Sequence, residues 1–324
     1  MTIERRVLLL GGLAITAAAR APAWAADTFP SKPIRFIVPY AAGGNVDVTV
    51  RLVGEAMSHK LGQPIIVDNR PGAGGLVGQE TTVNAPADGY TIVSAAFGSL
   101  YVAALMAGKP SMVPLFQPLS MLTTVPMVVV VPANSRFADW KALMAEAKAK
   151  PGSVSLGHAG NGTPNHTAIL RLQVADKVTF AVVPYRGSGV GLNDVMAGQI
   201  DGYVDQLTSS MPYIKSGKLR ALMVVSGERA PDLPDVPSLN DLGEPVFDGG
   251  TTIGAFVRIE TPKPIAATLN AAVVAALNEP AVRQRLTELG AVVRPSTPEE
   301  FTAVMKSDEE AIGELAKLGL LKPE

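Results

Sequence analysis

Apolar positions along this 324-residue chain fall in short runs separated by turn-forming clusters. Strand-length runs stand at residues 34–38, 65–67, 90–94, 127–131, 154–156, 179–183, 202–204 and 219–225. Helical patterns follow most of them, including 137–149, 164–175 and 192–198. Strands alternating with helical segments predict parallel βαβ units and an α/β protein. The C-terminal end reads as helix, with Ile265, Leu269, Val273, Ala276 and Leu277 on one face. Thr297-Pro298-Glu299-Glu300 reads as a capping box with proline at the first helical position. One segment carries both periods: Val46, Val48 and Val50 alternate as in a strand, whereas Leu52, Val53, Met57 and Leu61 suit a helix.

The N-terminus has a different character. Arg5 and Arg6 make a basic start, residues 7–19 are largely apolar, and Ala23-Trp24-Ala25 supplies a small-x-small pattern. Residues 1–25 therefore read as an export signal cleaved after Ala25. The apolar stretch is shorter than the ~20 residues a bilayer span needs. Arg5-Arg6 before Val7-Leu8-Leu9 resembles a twin-arginine (Tat) signal. A Sec signal is the alternative, because Glu4 stands where Ser or Thr is usual. The chain has no cysteine, which excludes a disulfide framework, a thiol nucleophile and a lipid-anchored N-terminus. The expected mature protein is soluble, unanchored and periplasmic. Its formal charge of −1 gives no electrostatic footprint for nucleic acid or an anionic membrane.

Three glycine-containing loops each follow a predicted strand. They are Pro39-Tyr40-Ala41-Ala42-Gly43-Gly44-Asn45, Arg70-Pro71-Gly72-Ala73-Gly74-Gly75, and the start of His158-Ala159-Gly160-Asn161-Gly162-Thr163-Pro164-Asn165-His166. In open α/β sheets ligands sit at the carboxyl ends of strands, where helix N-termini present unpaired N–H groups that suit an anion. Such loops offer donors rather than chemistry. Sharper readings fit less well. Gly72–Gly78 lacks the spacing of a dinucleotide loop, no phosphate-binding G-x-x-x-x-G-K-[ST] exists, and Arg186-Gly187-Ser188-Gly189 lacks the first glycine of a nucleophile elbow. His158 and His166 lie eight apart without the pattern of a zinc site. Asp47 and Asp205 are the acids best placed near pocket loops, although an acid in a helix's first turn is stabilising without any ligand.

At these positions the chain resembles the Bug family, the solute-binding proteins of tripartite tricarboxylate transporters. The matching motifs are Phe29-Pro30-Ser31-Lys32-Pro33-Ile34 through Pro39-Tyr40 with Gly43-Gly44 and Asp47, then Asn69-Arg70-Pro71-Gly72-Ala73-Gly74-Gly75. Pro86-Ala87-Asp88-Gly89-Tyr90-Thr91, Ala159-Gly160-Asn161-Gly162, Pro184-Tyr185-Arg186-Gly187-Ser188 and Leu233-Pro234-Asp235-Val236-Pro237 follow in order. The resemblance implies a two-lobed Venus-flytrap fold of the type II periplasmic binding class, with the ligand cleft between the lobes. Residues 26–126 plus 252–324 would form lobe 1 and 127–251 lobe 2. It implies capture of a small organic carboxylate by a monomer without cofactor or metal, and delivery to membrane subunits of a transporter or to a sensor. The rival function is an exported hydrolase of a small carboxylate ester or amide.

Carried over residue by residue, Tyr40, Gly43, Gly44, Asn45 and Asp47 fall on the first pocket loop and Phe97 and Ser99 on the next. His158, Asn161, Gly162, Thr163 and His166 fall on the third, and Asp205 on the acid after a lobe-two strand. Two expectations follow: Thr163 contacts the ligand through its hydroxyl, and Asp205 accepts a hydrogen bond from it. The chain also departs from the family pattern. Ala42 replaces a proline, Asn45 and Val46 stand where glycine and threonine are common, His158 replaces a small residue, and Gln206 and Thr208 replace asparagine and proline.

Overall fold

The computed structural model describes residues 29–321, apart from 248, 318 and 320. The export signal expected over residues 1–25 lies outside the described residues.

Two mixed sheets carry the fold. The first has strands β1 (Ile34–Val38), β2 (Ile65–Asn69), β3 (Thr91–Ala96) and β4 (Phe116–Val125). The second has β5 (Met127–Pro132), β6 (Ser155–His158), β7 (Ala181–Pro184), β8 (Gly202–Gln206) and β9 (Leu219–Val224). The chain then returns to the first sheet with β10 (Thr251–Arg258) and β11 (Val292–Val293). Strand orders are β11-β4-β10-β3-β1-β2 and β7-β6-β8-β5-β9.

The sequence expectation of parallel units holds for one part of each sheet. β1 pairs parallel with β2 and β3, and β6 with β7 and β8. It fails where the chain changes sheet: β10 runs antiparallel to β3 and β4, and β5 antiparallel to β8 and β9. Three strands, β4, β10 and β11, escaped the hydrophobic pattern. Pro118 interrupts β4 and Gly254 interrupts β10. Gly254 has a packing reason, since a Cβ there would run into the ring of Phe301. The crossing between sheets falls at Pro126, whose missing N–H cannot continue a ladder and whose carbonyl accepts the Leu207 N–H at 3.0 Å.

The segment with two periods is helical over Asn45–Leu61, ending on Gly62 in the left-handed conformation. Its valines at 46, 50 and 53 are buried, so helical burial overrides the short alternation. The expected C-terminal helix spans Lys263–Asn278, and Thr297 and Glu300 form the reciprocal cap of Pro298–Lys317. No single helix among the described residues is long and apolar enough to cross a membrane.

Candidate functional site

Five helices begin around one cavity between the two sheets. The helices are Asn45–Leu61, Phe97–Met106, Pro164–Asp176, Ser188–Met196 and Leu207–Lys215. Gly44, Ala96, Thr163, Ser188 and Gln206, each the N-cap or first residue of one of them, all line the cavity. Only the Thr163 cap uses a side chain; the caps at Gly44, Ala96, Gly187 and Gln206 leave the first turn without one. Helix starts of this kind concentrate unpaired N–H groups and positive potential. No Asp, Glu, Lys or Arg lines the cavity. Its volume is about 30 Å³, and cavities of about 120 and 200 Å³ on either side share lining residues with it.

In the first loop Tyr40, Gly44 and Asn45 line the cavity as the sequence suggests. The Tyr40 hydroxyl donates to the Gly74 carbonyl at 3.4 Å, and burial raises its pKa, partly offset by a hydrogen bond with Ser99. Asp47 does not line it. Its carboxylate accepts from the Gly43 N–H at 3.0 Å, from Arg51 Nε and Nη2 at 3.0 and 2.9 Å, and from Asn69 Nδ2 at 2.9 Å. Burial alone would raise its pKa; these hydrogen bonds outweigh that and lower it. Asp47 and Gly43 are thus a brace that shapes the loop from behind.

The second sheet supplies the facing loop. Thr163 lines the cavity, but its hydroxyl donates to the Gly160 carbonyl at 2.6 Å and accepts from the His166 N–H at 3.5 Å. Its hydroxyl is thus engaged in the helix cap while the residue stays on the cavity wall. Asn161 lines the flanking cavity beside Gly74 rather than the central one, and Gly162 lines the flanking cavity on the other side. His158 and His166 stack with ring centroids 4.5 Å apart and 16° between planes. Their Nδ1 atoms accept the N–H groups of Gly160 and Gly162 at 3.2 Å, which fixes both turns of the loop. Burial, followed by repulsion from His166, pushes the His158 pKa down to about 3, and burial pushes His166 down to about 4.

Asp205 is fully buried and lines none of these cavities. Burial raises its pKa against hydrogen bonds from Ser188, Ser209 and Ser210. The expectation that it accepts from the ligand gives way to a role in tying the Leu207–Lys215 helix to β8. Phe97 is 1 % exposed and packs with Ile37, Leu76, Phe256 and Phe301, so it is a core residue. Ser99 donates to the Ala96 carbonyl at 2.7 Å, behind the cavity wall.

Residues that the sequence reading did not select complete the wall. Asn165 and Gln206 exchange hydrogen bonds at 3.2 and 3.0 Å, and Gln206 also donates to the Thr251 hydroxyl at 3.3 Å. All three line the cavity. Gln206 was visible in the sequence as a departure, but nothing marked it as facing Asn165 across 41 positions.

The two loops meet. The Ala41 N–H donates to the Arg186 carbonyl at 2.9 Å. A Cβ on Gly74 would overlap the Asn161 carbonyl, and one on Gly162 would stand 2.7 Å from the Cα and N of Ala103. Glycine is what permits this approach.

Two sheets joined by two crossings, closing over a cavity ringed by helix starts, define a two-lobed periplasmic binding protein. Residues 49–314 match the family described as tripartite tricarboxylate transporter family receptor, and the chain belongs to that family. It is 37% identical to the UPF0065 protein of the tcbD-tcbE intergenic region from Pseudomonas sp. (strain P51), over 95% of this chain and 92% of that protein. Among solved structures it is similar to the periplasmic binding protein BugD, with 31% identity, a TM-score of 0.86, and 91% and 100% of the two chains covered. It is likewise similar to MatC from Rhodopseudomonas palustris with bound malate, at 32% identity, a TM-score of 0.81, and 86% and 97% coverage.

Proposed function

We propose that this chain captures a small organic carboxylate between its two lobes and presents it to the membrane subunits of a tripartite tricarboxylate-type transporter or to a sensor. The observation that carries this reading is the meeting of five helix N-termini on one cavity, four of them without a side-chain cap. A carboxylate supplies the acceptor oxygens those N–H groups lack and the charge their dipoles favour. The malate held by the similar MatC belongs to this chemical class.

In this reading residues 26–126 plus 252–324 form one lobe and 127–251 the other. Tyr40, Gly44, Asn45 and Thr163 face the ligand, together with Asn165, Ser188, Gln206 and Thr251. Gly43, Asp47, His158, His166 and Asp205 hold the loops that do so. The protein works as an exported monomer in the periplasm, without cofactor and without turnover. Its export uses the twin-arginine route. Replacing Arg5 and Arg6 together by lysine should leave unprocessed precursor in the cytoplasm, and normal processing in a cell fractionation would show a Sec signal instead.

The binding test is a thermal-shift series with mono- and dicarboxylates, sugars, nucleotides and cations, followed by product analysis. At about 100 Kd a ligand stabilises by roughly 2.7 kcal/mol, a clear rise in Tm. Carboxylates alone should produce it, with no product formed. A shift with a sugar but with no carboxylate would overturn the reading, and product formation would restore the hydrolase.

A further inference from the structure

Asn45 is the first residue of the Asn45–Leu61 helix, is 3 % exposed and lines the central cavity. Neither its Nδ2 nor its Oδ1 has a hydrogen-bond partner in the protein. The contrast with its neighbours is sharp. Asn165 and Gln206, on the same cavity, satisfy each other, and Asn69 behind the loop donates to the Tyr40 carbonyl and to Asp47. Thr49, one turn further along the same helix face, does not serve as the partner, because its hydroxyl is unpaired as well. Native proteins rarely leave a buried amide with both ends unpaired, since the desolvation cost is not recovered.

The chemistry of the amide says what would satisfy it. Nδ2 donates and Oδ1 accepts, so the complementary group must do both. A hydroxyl does. A carboxylate oxygen only accepts, and an ammonium only donates. An ammonium is disfavoured on a second ground: it would sit among five positive helix ends with no protein carboxylate lining the cavity. Of the two acids near the site, Asp47 is engaged by Arg51, Gly43 and Asn69, whereas Asp205 accepts from Ser209 and Ser210 through Oδ2, keeps Oδ1 unpaired and is fully buried. Neither lines the cavity. The position of the hydroxyl follows from the chain. The side chain that reads it leaves the same residue that opens the helix, so the hydroxyl lies next to the bound carboxylate.

We propose that Asn45 is a specificity-determining residue that reads a hydroxyl beside the carboxylate, so that the site selects 2-hydroxy acids over matched 2-amino and unsubstituted acids. This rests on the reading that the cavity takes a carboxylate.

The test is titration calorimetry of the wild type and Asn45→Ala with two matched trios: lactate, alanine and propionate, and malate, aspartate and succinate. In whichever trio binds, the wild type should hold the hydroxy acid roughly tenfold or more tighter than the unsubstituted acid, because the latter leaves a buried amide unpaired. Asn45→Ala should bring those two within about threefold of each other, roughly 0.65 kcal/mol. A merely structural role for Asn45 would weaken both acids equally and leave their ratio unchanged, which would overturn the proposal. Equal wild-type affinities, or tighter binding of the amino acid, would do the same. Should Asn45→Ala fail to fold, the wild-type ratios decide alone. Binding by none of the six, or binding without hydroxyl preference, removes this inference only; the carboxylate reading itself falls on the thermal-shift series.

Discussion

The stacked rings of His158 and His166 sit where an imidazolium cannot be solvated, with pKa values pushed down to about 3 and about 4. In the unfolded chain each would titrate near its ordinary value of 6.5. Between the two values the unfolded state binds more protons, so stability is complete above pH ~6.5 and is lost as the pH falls. Integrated from pH 8 to pH 5 the loss is about 2 kcal/mol for each histidine. Asp205, whose pKa is raised, titrates with the opposite sign, so the clean measurement is a difference between proteins. In His158→Asn the amide oxygen can accept the Gly160 N–H as Nδ1 does, but it cannot titrate. Melting curves over pH 5–8 should show a pH dependence about 2 kcal/mol shallower than wild type; an identical slope would show that His158 titrates alike in the folded and unfolded chain. At this scale the sequence was least legible. An acid in a loop looks the same whether it faces a ligand or braces the backbone, and only the positions of Arg51, Asn69 and Gly43 around Asp47 decide. Thr163 is ambiguous in the same way, since a hydroxyl before Pro164 serves a cap or a ligand equally well. Phe97 follows an apolar strand, and its side chain turns into the core.

Among the elements, those with one clean period were readable. β1, β5 and the Lys263–Asn278 helix stand where the apolar spacing put them. Two of the missed strands, β4 and β10, share a cause: Pro118 and Gly254 break the pattern locally, and pairing with each other and of β10 with β3 restores the strand. The glycine loops were legible as loops at strand ends, but their approach across the cleft was not, because such closeness leaves no mark in the spacing. Gly162 makes that contact testable. It has φ +79°, and a Cβ would meet the Ala103 backbone at 2.7 Å across the cleft. Gly152 has φ +78° with nothing within 4 Å of its Cβ position. Both Gly→Ala changes carry a left-handed backbone cost of about 1–2 kcal/mol, so melting should fall comparably. Only Gly162→Ala should also weaken ligand binding, by roughly tenfold or more, since closure adds contacts that the methyl group obstructs. Equal affinities for the two variants would show that the Gly162–Ala103 approach does not matter to binding.

Across the whole molecule, the surfaces that meet around the cavity are largely backbone. Ala41 and Arg186 share an N–H···O=C bond, Gly43 approaches Gly189, and Gly160 approaches Gly74. Such contacts bury little apolar area, and hydrophobic stabilisation scales with that area at about 25 cal/mol per Å². Behind them one buried apolar cluster continues from Val46 and Val50 to Leu207 and Met211, so the closed arrangement rests on that packing as well. The lobes remain joined by only two crossings, at Pro126 and through residues 225–250. Pro126 stands at one crossing and Gly249 at the other, where a Cβ would run into the Val225 carbonyl. A ligand that touches both loops binds the closed arrangement better than the open one, and it shifts the balance by that difference in affinity. The expected outcome in solution X-ray scattering is a smaller radius of gyration once a bound carboxylate saturates the wild type, with no such change in Gly162→Ala at matched saturation. The chain has no cysteine, so a single pair of introduced cysteines, one per lobe, would report the same closure by distance-sensitive labels. Scattering and label distances that stay constant through saturation would mean that the lobes are closed before the ligand arrives, and that the glycine contacts are rigid packing rather than the moving part of capture.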